Sequence, residues 1–80
     1  MIKHEIAAII SQYFGVMPQE SDYDKLLMSP PFAFDGVDLC YLFLIIQESF
    51  DIEIPDDELL NYGFSTISKI AAIVETLLKN

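Results

Sequence analysis

The side chains able to do chemistry in this 80-residue sequence are one histidine, one cysteine and a surplus of carboxylates. His4 could act as a general base only beside a nucleophile or an orienting group. It lies near the disordered end expected at the start of the first helix, and no Ser or Cys neighbours it. Cys40 lies inside a long apolar stretch, with no Lys, Arg or His close by to activate its thiol. It reads as a small hydrophobe of the core or of a surface patch. A single cysteine can form neither an internal disulfide nor a redox pair, and a zinc site has no second Cys to draw on. Asp51, Glu53, Asp56, Asp57 and Glu58 could draw in a divalent cation, yet they lack the alternating Asp/Asn, the Gly and the terminal Glu of a calcium loop. No metal is expected. There is also no glycine-rich phosphate loop and no dinucleotide fingerprint. The chain therefore reads as a binding protein and not as an enzyme.

Charge narrows the choice of partner. Thirteen acids against four lysines and no arginine give a net charge of −9. That charge repels phosphate backbones and anionic lipid surfaces, so neither nucleic acid nor membrane is an expected partner. Between Asp35 and Glu58 stand eight acids (Asp35, Asp38, Glu48, Asp51, Glu53, Asp56, Asp57 and Glu58) and no Lys or Arg. Isolated acids serve mainly to keep a small apolar domain soluble. Acids clustered in this way suit a basic surface.

The elements that carry these residues follow from the hydrophobic pattern. Ile2, Ile6, Ile9, Ile10 and Tyr13 recur at three- and four-residue steps, the spacing of one helical face over Ile2 to Phe14. Gly15 and Pro18 end that helix. A loop follows from Val16 to Phe34, with a short helical turn near Ser21 to Met28. Pro30 and Pro31 are expected to hold Ser29 and its neighbours extended, while Leu26, Leu27, Phe32 and Phe34 fold back as core plugs. Asp35 then caps a second helix, Val37 to Phe50, with Asp38 in the first turn, where amides and dipole favour negative charge. Ile52 and Ile54 read as inward-pointing residues of an extended connector from Asp51 to Pro55. Asp56 or Asp57 can cap a short third helix through Asn61. After Gly63, Ser65 or Thr66 can cap the last helix, whose face is Ile67, Ile70, Ala71, Val74, Leu77 and Leu78.

The expected fold is all-α: three long helices and one short one in a single domain over residues 1–80. The six Phe supply a core, although a chain of this length buries only about 60% of its unfolded surface. The longest apolar run, Leu39 to Ile46, is eight residues, against the roughly 20 a membrane-crossing helix needs. Met1 to Glu5 shows no targeting pattern, so a cytoplasmic location is expected. The second helix is apolar nearly all round: Val37, Cys40, Tyr41, Leu44 and Ile45 lie on one stripe with Glu48, and Leu39, Leu42, Phe43, Ile46 and Phe50 fill the rest. So small a domain cannot cover all of it, and exposed apolar surface marks contact with a partner or ligand.

The order of these features resembles the acyl carrier protein family. The resemblance runs nearly end to end and is sharpest at Phe50-Asp51-Ile52-Glu53-Ile54-Pro55-Asp56-Asp57-Glu58, which looks like the family's close of helix two and opening of helix three. Phe14-Gly15-Val16 looks like its end of helix one. Asp35-Gly36-Val37-Asp38 falls where the family has Asp-Ser-Leu-Asp. The resemblance implies an acyl-carrier-like bundle and a 4'-phosphopantetheine arm on that serine. Here the position is Gly36, which has no oxygen to form the phosphodiester, so the cofactor is not expected there. Neither Ser29 nor Ser49 has the family's surrounding motif. The stretch Cys40 to Ile46 also replaces much of the charge that carriers show to their enzymes.

Four functions follow from this reading. The first is a non-acylated docking module serving a peptide-modification or other biosynthetic enzyme. In it Val37, Tyr41, Leu44 and Glu48, with Asp35, Asp38, Asp56 and Asp57 around them, would meet a basic-rimmed apolar groove. The second is a genuine acyl or peptidyl carrier whose serine has been replaced or lies elsewhere. The third is a homodimer through helix two, and the fourth a protein enclosing a free acyl chain.

Overall fold

The computed structural model describes residues 2–60 and 64–79, with the side chains of residues 59 and 60 excepted. It is all-helical among those residues: α1 (Ile2–Phe14), α2 (Gly36–Phe50), the short α3 (Asp56–Leu60) and α4 (Ile67–Lys79), with a single 3-10 turn at Glu20–Asp22. No helix is long and apolar enough to cross a membrane among the described residues. The expected end of the third helix at Asn61, and Gly63, lie outside the described residues.

α1 packs chiefly against α4 and also meets α2. Ile6, Ala7 and Ile10 of α1, Leu42 and Ile46 of α2, and Ile67, Ile70, Ala71 and Val74 of α4 form the buried centre. Helical spacing produces this, because residues three and four apart share a face. Each face departs from the expected one at its end. Tyr13 is exposed and Phe14 turns inward instead, its ring 4.6 Å from that of Phe34. Leu78 is also exposed, while the adjacent Leu77 packs against the core.

The segment between α1 and α2 is a compact loop bound to the body of the protein. Gly15, at φ +73°, lets the chain leave α1 in a left-handed turn. Tyr23 and Leu27 are buried, and their backbones reach the start of α4. The Leu27 N–H donates to the Ser65 carbonyl at 2.8 Å, and the Ser68 N–H donates to the Tyr23 carbonyl at 3.0 Å. Leu27, Phe32 and Phe34 are core plugs, whereas Leu26 points outward. Where an extended run was expected the chain turns: the N–H groups of both Phe32 and Ala33 donate to the Ser29 carbonyl, folding the prolines into a turn. The short helical turn is three residues long and begins one residue earlier than expected. Asp22 secures it, accepting from the Gln19 N–H at 2.9 Å and pairing with the Lys25 ammonium at 2.9 Å.

The caps are specific. Asp35 accepts from the Asp38 N–H at 2.8 Å, and the Asp35 N–H donates to the Asp38 carboxylate at 3.1 Å, a reciprocal box that starts α2. At the other end Asp51 adopts φ +53°. Its N–H and that of Ile52 turn back to the carbonyls of Glu48 and Gln47, closing the helix. Gln47 holds the connector a second time, its side-chain oxygen accepting from the Ile54 N–H at 2.7 Å. Ile54 is buried and Ile52 partly so. α3 begins at Asp56, so Asp56 and Asp57 lie within its first turn and not before it. Thr66, not Ser65, caps α4, accepting from the Lys69 N–H at 3.1 Å.

Candidate functional site

α2 divides its apolar residues between two environments. Leu42, Phe43, Ile45 and Ile46 are buried. Val37, Tyr41 and Leu44 remain 77%, 50% and 61% exposed. Positions 37, 41, 44 and 48 follow steps of four, three and four, so these three residues and the exposed Glu48 share one side of the helix. Cys40 is exposed as well, which makes it a surface-patch residue and not a core one.

Acids frame this face at its start. Asp35 is exposed and Asp38 half-buried, and both are engaged in the capping box. Gly36 is the first residue of α2 and is exposed, and a Cβ built on it would meet nothing within 4 Å. A side chain at this position would stand free at the helix N-terminus, where unpaired amides favour an anion. Asp56 and Asp57 are exposed on α3, and no hydrogen bond or ion pair joins them to the α2 face among the described residues.

Beside the face runs a groove of 480 Å³, lined by Tyr41, Leu44, Ile45, Glu48 and Ser49 of α2 and by Tyr13 of α1. Tyr41 borders it with its ring edge-on to Tyr13 at 6.3 Å and to Phe14 at 5.8 Å. Sequence reasoning placed Tyr13 on the same apolar helical face as Ile6 and Ile10 and so missed its part in this groove. The usable signal was its chemistry, since tyrosine at a helix end commonly keeps its hydroxyl in water.

His4 lies in the first turn of α1, its Nε2 3.1 Å from the Glu20 carboxylate and its ring edge-on to Tyr23 at 5.8 Å. The helix begins before it, so His4 is held by neighbours and not left at a loose end. It borders a cleft with Lys3, Glu20, Tyr23, Asp24 and Ser68. The fold thus brings a serine near the histidine that the local sequence lacked. The Ser68 hydroxyl, however, is buried and makes no hydrogen bond to His4 or to any other described residue. A nucleophile needs both its base and access to substrate, and this serine has neither. Among the described residues no group of three His, Cys, Asp or Glu side chains could hold a metal ion.

No protein-family model matches the chain. No solved structure was found to match it.

Proposed function

We propose that this protein is a non-acylated docking module with an acyl-carrier-like fold, acting as a binding partner and not as a catalyst. The observation that carries this reading is the exposed side of α2, where Val37, Tyr41 and Leu44 stay largely in water although α2 also supplies the core. Apolar side chains grouped on one helix side lose free energy in water unless a partner covers them. Asp35, Asp38 and Glu48 accompany them and would steer a basic-rimmed apolar groove into register, with Asp56 and Asp57 contributing from α3. The order of helices, the acid-capped α2 and the connector into α3 support the acyl-carrier likeness. The partner would be an enzyme of peptide modification or another biosynthetic step, and the setting the cytoplasm.

A second reading is a genuine carrier, and the open space at Gly36 favours it, because a serine there would be unobstructed. Intact mass measurement of protein purified from its native host separates the two. The docking reading expects the unmodified mass. A gain equal to a phosphopantetheine arm would overturn it. Gly36→Ser then asks whether the surface is still readable as a carrier: modification by a phosphopantetheinyl transferase would support carrier ancestry, and refusal a diverged docking role. Concentration-dependent sedimentation tests the homodimer through α2. Mass analysis of extracted lipid tests the enclosed acyl chain.

A further inference from the structure

The junction that starts α2 carries a reactive pair of residues. Of the seven aspartates in the chain only Asp35 is followed by glycine. Asp35 and Gly36 are both exposed, and a Cβ built on Gly36 would meet nothing within 4 Å. The first N–H groups of a helix have no intrahelical acceptor, and that of Gly36 makes no hydrogen bond among the described residues. Its nitrogen is neither crowded by a side chain nor tied to a carbonyl. An aspartyl carboxyl can close on the amide nitrogen of the next residue, and glycine hinders that approach least. The other aspartates are each followed by a residue with a side chain, and Asp22 is buried as well.

We infer that Asp35–Gly36 is a site of spontaneous aspartyl isomerisation, restrained by the capping box of α2. In the first step the Gly36 nitrogen bonds to the Asp35 side-chain carboxyl carbon and a carbon–oxygen bond of that carboxyl breaks. The oxygen leaves as water, taking the carboxyl proton and the Gly36 amide proton, and a succinimide ring remains. In the second step water adds to one of the two ring carbonyls. Opening at the side-chain carbonyl restores aspartate, and opening at the main-chain carbonyl gives isoaspartate. The box opposes the first step. The Asp35 carboxylate accepts from the Asp38 N–H at 2.8 Å, and the Asp35 N–H donates to the Asp38 carboxylate at 3.1 Å. The carboxyl must leave the Asp38 N–H to reach the Gly36 nitrogen. Isoaspartate cannot rebuild the box, because its main chain runs through the β-carbon and is one atom longer. The modified chain therefore starts α2 without its cap.

The test is prolonged incubation of the whole folded chain in mildly acidic buffer. Isoaspartate is read by methyl transfer from S-adenosylmethionine with an isoaspartyl methyltransferase, and its position by peptide mass analysis. Label is expected at position 35, beside a minor species one water lighter, with faster amide exchange at Asp38 in the modified fraction. Gly36→Ala, for which the structure leaves room, is expected to slow labelling about tenfold, a barrier about 1.4 kcal/mol higher. Unfolding in urea, which releases the box, is expected to speed it about three- to tenfold. Asp38→Ala, which removes the reciprocal acceptor and leaves the Asp38 N–H in place, is expected to speed it about threefold in the folded chain. No isoaspartate at position 35 in the folded protein, or equal labelling of Gly36→Ala, would overturn the site. Equal rates in folded and unfolded protein would overturn the restraint by the box.

Discussion

Asp22 shows how one carboxylate orders a loop. The Gln19 N–H hydrogen bond and then the Lys25 ammonium hold its pKa below the ordinary value of 3.8, against the opposing effect of burial. A depressed folded pKa means that the charged form is favoured by folding. The stabilisation is therefore fully present above pH 3.8 and is lost as pH falls through the lower folded value. Asp22→Asn is expected to be less stable than the parent at neutral pH, with the difference shrinking in acid as the parent's own carboxyl protonates. Urea unfolding across that range checks it, and a difference independent of pH would remove the carboxylate charge as its cause. Nothing in the local sequence singled out Asp22 from the other acids. Its role depends on a tight turn that brings Gln19 and Lys25 to the same side chain.

At the level of elements, the connector between α2 and α3 relies on Gln47 more than its composition suggests. The Gln47 carbonyl accepts from the Ile52 N–H at 3.1 Å, and its side chain accepts from the Ile54 N–H. Gln47→Ala removes only the second of these bonds and leaves the Ile54 N–H unpaired in a partly buried setting. It is expected to cost about 1–2 kcal/mol and to speed hydrogen exchange at the Ile54 amide. Unchanged exchange there would mean that burial of Ile54 holds the connector without help. The helices were largely readable from sequence, because a cap and a 3.6-residue period are local properties. Asp35 and Asp38, three residues apart, form their box within a single turn. A glutamine late in a helix carries no comparable sign, since its partner lies beyond the helix end.

Across the whole molecule, the long loop shows what locality cannot decide. Leu26 and Leu27 are adjacent and chemically identical, yet one is 54% exposed and the other 0%. Leu27→Ala is expected to cost about 2–5 kcal/mol through the cavity it leaves, and Leu26→Ala to stay within about 0.5 kcal/mol of the parent. Denaturant unfolding of both variants checks this pair, and equal losses would mean that the loop does not dock as described. The sequence by itself determined α1, α2 and α4 nearly to the residue, the cap at Asp35, the all-α class, and that α2 holds more apolar surface than one core can cover. Those are consequences of backbone periodicity, capping chemistry and the area of a small domain. Only the tertiary structure decided that Leu27 goes in and Leu26 out, that Phe14 and not Tyr13 packs against the core, and that Tyr13 meets Tyr41 edge-on beside a groove. A loop has no repeating geometry to assign its side chains to faces. The end of a helix is buried or free according to which distant segment arrives beside it, and for Phe14 that segment is the loop at Phe34, just as loop residue Leu27 is placed by its bond to Ser65 before α4.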